Sequence, residues 1–330
     1  MKKVKLGIIG TGIAARILHW PALKQLQNKI EIVHVCNHTE KKARNFAKLV
    51  GGAPYTLNYK EILNNPDIDA VDIMLPIELN HKVVKEALDA GKHVIMEKPI
   101  AVNLKEAKKM LKYPSLYNKQ VMMIAENFRY RNVYQKAKSL LNQEVIGKPY
   151  FIKWDVCYNV DNKNEYAKTK WRINHKYDGG FVTDGGVHNI AAIRLLAGDI
   201  KSVAAFTQSV SPRIGEIDTF SLQFETEKNI KGMFNMFFSV KGYFEDRILI
   251  HGSSGTIEIL GDKIYVKKEG RKPKFIDCSA DPGFYNEFVN FYNAITKGEK
   301  IVSTFNEAYR DLEIILTAIK SANSNRRVNI

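Results

Sequence analysis

Three short stretches carry side chains whose types and spacing could do chemistry. "HVIMEKP" ends an apolar run by setting Glu97 beside Lys98 and closes it with Pro99. A lysine there is a cation that can stabilise charge developing on a reacting oxygen, although a charged pair after an apolar strand is also an ordinary strand exit. "DGGFVTDGGVHNI" places Asp184 and His188 four positions apart. On a helix that spacing puts both on one face, with about 5–6 Å between Cβ atoms. A carboxylate beside an imidazole can fix its tautomer and stabilise the imidazolium formed on proton transfer. The same pair could also ligate a metal, or be a capping aspartate with an incidental histidine. "GIIGTGIAA" sets Gly10, Gly12 and Ala15 at GxGxxA spacing. Such glycines allow a tight turn and close approach of the backbone to a pyrophosphate, with helix N-terminal amides aimed at phosphate oxygens.

These stretches need elements that place them. "VKLGIIG", "IEIVHVCN", "IDAVDIMLP", "KHVIME" and "QVMMIAEN" read as buried strands, alternating with amphipathic helices such as "TEKKARNFAKLVG", opened by Thr39 as N-cap, and "HKVVKEALDAG". "IAARILHWPALKQLQ" is helical, with a kink or break expected at Pro21. Strand and helix in alternation imply βαβ units and a parallel sheet, so residues 1–125 are expected to form a doubly wound dinucleotide-binding domain. Ligands of such sheets bind beyond the carboxyl ends of the strands, the edge shared by the glycine turn and by Glu97 and Lys98. Adjacent strand residues point opposite ways, so Glu97 and Lys98 should not act as one salt bridge. Residues 126–330 change grammar. Successive strands from "PYFIKWDVCYNV" to "KIYVKKEG", with helices at "DGGVHNIAAIRLLAG" and at the end, imply an α+β domain with a largely antiparallel open sheet.

The glycine turn assigns Gly10, Thr11, Gly12, Ile13 and Ala14 to a dinucleotide. At the end of the second strand an acidic residue would take the ribose hydroxyls of NAD. Here Asn37 and His38 stand instead. Asparagine can bond a ribose without repelling a 2′-phosphate, so NADP is favoured within NAD(P). Lys41 and Lys42 could approach that phosphate, but solvent-facing lysines at a helix start are the plainer reading.

Composition narrows the remaining classes. The chain has 330 residues, 45% of them hydrophobic, enough for two domains with real cores. No run nears the roughly 20 apolar residues that span a bilayer. The amino-terminal apolar stretch, cut by Gly7, Gly10 and Gly12, reads as a strand and turn rather than a signal peptide. Three widely spaced cysteines, Cys36, Cys157 and Cys278, suggest neither disulfides nor a zinc site, and no metal is expected. A cytoplasmic enzyme fits. Net charge is +15, yet the lysines are dispersed and no nucleic-acid-binding signature accompanies them.

The sequence resembles the glucose-fructose oxidoreductase, inositol dehydrogenase and rhizopine-catabolism family, Gfo/Idh/MocA. The resemblance covers essentially the whole chain and rests on "GIIGTGIAA", "LPIELNHKVVKEALDAGKHVIMEKPIA", "WRINHKYDGGFVTDGGVHNI" and "SANSNRRVNI". It implies that Lys98 is the catalytic lysine beside nicotinamide and substrate, Asp184 the orienting carboxylate and His188 the proton-transfer group. It also implies that Leu75, Pro76, Asn80, His81 and Glu97 line the nicotinamide side. Asn127, Arg129, Trp171 and Arg172 match substrate-pocket positions. Family members often carry an aspartate three residues after the histidine; Ala191 stands there, which puts a hydroxyl contact in doubt. The implied reaction is hydride transfer between NAD(P) and a secondary carbinol or ketone of a sugar, inositol, polyol or sugar derivative. A nicotinamide-dependent glycosidase or eliminase, and a non-catalytic NAD(P)-responsive binding protein, are the alternatives. A homodimer or homotetramer built on the second domain's sheet is also implied.

Overall fold

The computed structural model describes residues 3–161, 163–211 and 217–330. The chain divides into two compact units, Met1–Asn127 with Gly283–Tyr309, and Phe128–Pro282 with Arg310–Ile330.

The first unit holds a six-stranded sheet. Its strands are β1 (Val4–Ile9), β2 (Ile30–Cys36), β3 (Tyr55–Thr56), β4 (Ala70–Ile73), β5 (His93–Glu97) and β6 (Met122–Ala125). They lie in the order β3-β2-β1-β4-β5-β6, and every pairing is parallel. Runs such as "AVDI" are buried at every residue, as helices on both faces require. The order reverses between β1 and β4, where doubly wound sheets bind their ligands. The unit runs to Asn127, close to the boundary expected at residue 125, but residues 283–309, expected in the second domain, return to it. The helix Phe284–Lys297 is amphipathic, and its Phe288, Phe291 and Tyr292 are buried. Ile124 N donates to Ser303 O at 3.0 Å, so the segment is also tied to the backbone of β6.

The helix after β1 is not regular. Ala15–His19 forms a π turn, and Trp20–Gln25 continues as α-helix with Pro21 in its first turn. Proline has no N–H to give and its ring crowds the carbonyl of residue i−4. A widened turn ahead of it relieves both problems and keeps the helix going where a break was an equal expectation.

The second unit holds a nine-stranded sheet. Its strands are β7 (Pro149–Cys157), β8 (Ile200–Gln208), β9 (Thr219–Thr226), β10 (Lys231–Phe237), β11 (Glu245–Gly252), β12 (Gly255–Leu260), β13 (Lys263–Lys267), β14 (Lys274–Asp277) and β15 (Val328–Asn329). The order is β14-β13-β12-β11-β7-β10-β9-β8-β15, antiparallel except for β10 against β7. Period-two alternation sorts the faces. Trp154, Phe220, Leu222, Phe234, Met236, Ile248 and Ile257 are buried in the core with the helix Gly180–Ala197. The opposite face carries Phe206, Ser221, Asn235 and Asp155 in cross-strand register, with Phe206 well exposed. No helix among the described residues is long and apolar enough to cross a membrane.

Candidate active site

The carboxyl edge of the first sheet is built from the ends of β1, β2, β4 and β5. Gly10 follows β1 with φ +100°, and a Cβ there would stand 2.1 Å from Met74 O, so only glycine lets the turn lie against the end of β4. Gly12 differs: a Cβ built on it meets nothing within 4 Å. Thr11 between them is 6% exposed, and its Oγ1 has no hydrogen-bond partner among the described residues. A buried hydroxyl without a partner costs free energy unless something else satisfies it. Open space at Gly12, the orphan hydroxyl of Thr11 and the helix that begins at Ile13 and Ala14 fit a pyrophosphate.

Asn37 directly follows β2 and is buried; its Oδ1 accepts from Thr39 N at 2.9 Å. Thr39 occupies the N-cap position but its side chain makes no capping bond, and the Asn37 side chain closes a turn onto the Thr39 backbone instead. His38, Lys41 and Lys42 are exposed. Leu75 and Pro76 follow β4, and Pro76 precedes the helix Ile77–Asp89. Leu75 Cδ2 comes within 3.4 Å of the Cβ position of Gly10. Asn80, on the first turns of that helix, is 1% exposed and donates through Nδ2 to Pro99 O at 3.1 Å and to Glu97 O at 3.3 Å. It clamps the carbonyls on either side of Lys98, which is half-buried. The Lys98–Pro99 peptide is cis. His81, next to Asn80, instead stacks on Tyr113, with 6.1 Å between ring centres. Asn127, two residues beyond β6, is buried.

In the second unit the helix Gly180–Ala197 opens on two positive-φ glycines, Gly179 and Gly180, and presents Asp184 within its second turn. Asp184 is 5% exposed, and Arg172 Nε donates to its Oδ2 at 2.6 Å. Arg172 belongs to the short helix Lys170–Ile173. Its guanidinium lies 4.0 Å from the Trp171 ring centre and 4.9 Å from that of Tyr166, and it also reaches Thr169 Oγ1 at 3.3 Å. Trp171 and Arg172, matched to the substrate pocket, and Asp184, matched to the orienting carboxylate, are therefore one constellation. Lying over both rings, the guanidinium is held as a donor for a carboxylate. One turn on from Asp184, His188 is half-buried and its ring stacks on Phe128 at 4.8 Å and 23°. Burial, followed by the charges of Asp246 and Asp184, pushes the Tyr158 phenol well above its ordinary range and keeps it a neutral donor.

Arg129 is 4% exposed, and its NH2 donates to Asp311 Oδ2 at 2.6 Å. Arg194 donates to the other oxygen of Asp311 at 2.7 Å and to Asp199 at 2.9 Å. The structure thus uses Arg129 within a buried ion-pair network. Ala191 has no exposed surface, so its position offers no polar contact.

Several residues escaped the sequence reading. Phe128 beneath His188 and Asn80 as a backbone clamp are contacts that spacing does not encode. Asp72 did leave a signal: a carboxylate inside the fully buried "AVDI" demands a buried partner. That partner is His19, whose Nδ1 lies 2.8 Å from Asp72 Oδ2 while its Nε2 lies 3.1 Å from Glu97 Oε1.

Residues 4–143 match the family described as "Oxidoreductase family, NAD-binding Rossmann fold", and residues 134–258 match "GFO/IDH/MocA C-terminal domain". The chain is similar to Uncharacterized protein YMR315W of Saccharomyces cerevisiae, 33% identical over 344 residues, covering 98% of this chain and 97% of that one. It is similar to the crystal structure of an oxidoreductase from Thermotoga maritima, with TM-score 0.94 and 37% identity over 99% of this chain and 98% of that one. It is also 25% identical over 303 residues to scyllo-inositol 2-dehydrogenase (NADP(+)) IolW of Bacillus subtilis, covering 91% and 82% of the two chains.

Proposed function

The chain belongs to the Gfo/Idh/MocA oxidoreductase family, and from that premise we propose that it oxidises a secondary carbinol, or reduces the corresponding ketone, of a sugar, inositol, polyol or sugar derivative. The observation that carries this reading is the shared sheet edge. The Gly10–Gly12 turn after β1 and Lys98 after β5 lie at the carboxyl ends of strands on either side of β4. When bound, NAD(P) supplies a hydride acceptor or donor at C4 of its nicotinamide. The turn residues Gly10, Thr11, Gly12, Ile13 and Ala14 hold the pyrophosphate, and Leu75, Pro76 and Glu97 line the nicotinamide side.

Lys98 offers a cation to the carbinol oxygen, so that negative charge developing there is met by an ammonium. His188 accepts the hydroxyl proton. Asp184, held by Arg172, orients His188, and the remaining donors of Arg172 address substrate hydroxyls together with Trp171 and Asn127. A positioned acid/base of this kind contributes typically ~10²- to 10⁴-fold. NADP is the favoured dinucleotide: residue 37 offers no carboxylate to repel a 2′-phosphate, and the Asn37 amide oxygen is engaged by Thr39 N. The name of the similar Bacillus subtilis enzyme, an NADP(+) inositol dehydrogenase, points the same way for cofactor and substrate class. A homodimer or homotetramer through the open face of the nine-stranded sheet, working in the cytoplasm, completes the reading. The aromatic Phe206 and Phe275 exposed on that face support it.

The test is a screen of sugars, inositols and nucleotide sugars with both nicotinamides. Turnover accompanied by equimolar change in nicotinamide absorbance supports the reading. Turnover with no net change instead indicates a glycosidase or eliminase.

A further inference from the structure

The buried imidazole of His19 has no part in the chemistry above, and it is expensive. His19 and Asp72 are both 0% exposed, and the Glu97 side chain is 15% exposed. Buried ion pairs rarely repay their desolvation against well-packed apolar residues of similar volume. Stability alone therefore does not account for a histidine here. Its placement does. His19 closes the π turn of the helix that starts at the glycine turn, and the widened turn sets it between the ends of β4 and β5. Glu97, which it bridges to Asp72, directly precedes Lys98. Asn80 holds the carbonyls of Glu97 and Pro99. The lysine's backbone is thus gripped from the helix Ile77–Asp89, and its neighbouring side chain from the glycine-turn helix.

We propose that His19 is a positioning residue for Lys98: by bridging Asp72 and Glu97 it ties the helix that receives the dinucleotide to the strand end that presents the lysine. This rests on the reading of Lys98 as a group that meets substrate. The groups facing His19 come from every element around it. They are Asp72 of β4, Glu97 of β5, and Phe288, Phe284 and Glu287 of the helix Phe284–Lys297, with Phe288 edge-on at 5.2 Å and Phe284 at 6.2 Å. Glu126, just past β6, adds its charge at Glu287. Burial alone would push the imidazole down, but the charges and hydrogen bonds of Asp72 and Glu97 outweigh it and hold His19 well above its ordinary value. In its protonated form the ring donates through Nδ1 to Asp72 and through Nε2 to Glu97. Burial pushes Glu287 well above the ordinary carboxylate range, which favours its uncharged form beside the cluster. Among the described residues no His, Cys, Asp and Glu cluster is arranged to hold a metal ion.

The experiment compares wild type with His19→Gln, Glu97→Gln and the double variant. It reads kcat, KM, NADPH affinity by fluorescence, and the rate at which an amine-directed reagent modifies Lys98, followed by peptide mass. Small displacements of a reacting group cost up to about 100-fold. His19→Gln should lower kcat by roughly 10- to 100-fold with NADPH affinity within about threefold, a split that general loosening of the fold does not produce. Lys98 labelling should change at least about threefold while other lysines keep their rates, and the double variant should be no slower than the slower single one. Wild-type labelling and kcat in both single variants would overturn the proposal, as would loss of NADPH binding in step with kcat in His19→Gln. If His19→Gln does not fold, Asp72→Asn, which keeps the side chain's volume and removes the other end of the same bridge, carries the same comparison. If the wild type itself turns over no carbinol substrate, the functional reading fails, and Lys98 labelling still decides whether His19 positions the lysine.

Discussion

Gly10 and Gly12 occupy one turn but meet different surroundings, so alanine at each separates an effect on the fold from an effect on ligand binding. At Gly10 an added methyl meets Met74 O at 2.1 Å and Met74 C at 2.8 Å, on a residue whose φ is +100°. Holding an L-residue in a left-handed conformation costs roughly 1–2 kcal/mol. Relieving backbone overlap in a packed site adds about 1–3 kcal/mol, so Gly10→Ala should lose ~2–5 kcal/mol of stability in all. At Gly12 the methyl meets nothing within 4 Å, and no positive φ penalises it, so stability should stay within about 0.5 kcal/mol of wild type. The open space is where a pyrophosphate would approach the backbone. Filling it should weaken NADPH binding by roughly 10- to 100-fold, or ~1.4–2.8 kcal/mol. Urea denaturation followed by tryptophan fluorescence gives the first quantity, and quenching by NADPH the second. Equal destabilisation by the two alanines, or a Gly12→Ala protein that binds NADPH as the wild type does, refutes the division of labour.

Lys98→Met should cut turnover by about 10²- to 10⁴-fold while NADPH titration still shows binding, and near-normal turnover removes the lysine from the chemistry. Arg172→Ala leaves Asp184 charged and buried without its guanidinium, which should cost about 3 kcal/mol, and adding Asp184→Asn should recover part of it; a double variant less stable than Arg172→Ala contradicts the pairing. Glu287 has a raised folded pKa, so the stability it contributes is complete below its unfolded value near ~4.3 and is lost as pH rises through the folded value. His19, also raised, acts in the same direction above ~6.5. Wild-type stability should therefore fall toward alkaline pH, and Glu287→Gln should flatten that slope by up to about 1.4 kcal/mol per pH unit; an unchanged slope in urea titrations across pH assigns the protons elsewhere. Phe206→Lys on the open sheet face should shift the protein to monomers in light scattering, and an unaltered mass places subunit contacts elsewhere.

Alternation of buried strands and amphipathic helices up to residue 125 made the parallel sheet legible, because a strand covered on both faces must read as a continuous apolar run. The return of residues 283–309 to that unit was not legible. "FYNEFVNFYNAITKG" states that one helical face is apolar, and nothing local states which surface that face covers. Glu287 within that apolar face was the overlooked sign that it packs beside charged groups. Asp184 and His188 stood out by spacing, but the partner of Asp184 comes from Arg172, twelve residues earlier on another short helix, and the support for His188 comes from Phe128, sixty residues away. Pairings of that kind are products of the tertiary fold. The type of residue 37 bears on the cofactor, but the bond its side chain makes in the fold is a local Asx turn onto Thr39 N, because asparagine after a strand bonds the backbone two residues on wherever the turn permits.

The most direct measurement follows deuterium placed on the carbinol carbon of whichever sugar or polyol supports turnover. Label recovered at C4 of the reduced nicotinamide, at a rate that falls in step with kcat in Lys98→Met, is the predicted result. Label released to solvent, or kept in a product formed without net nicotinamide reduction, contradicts it.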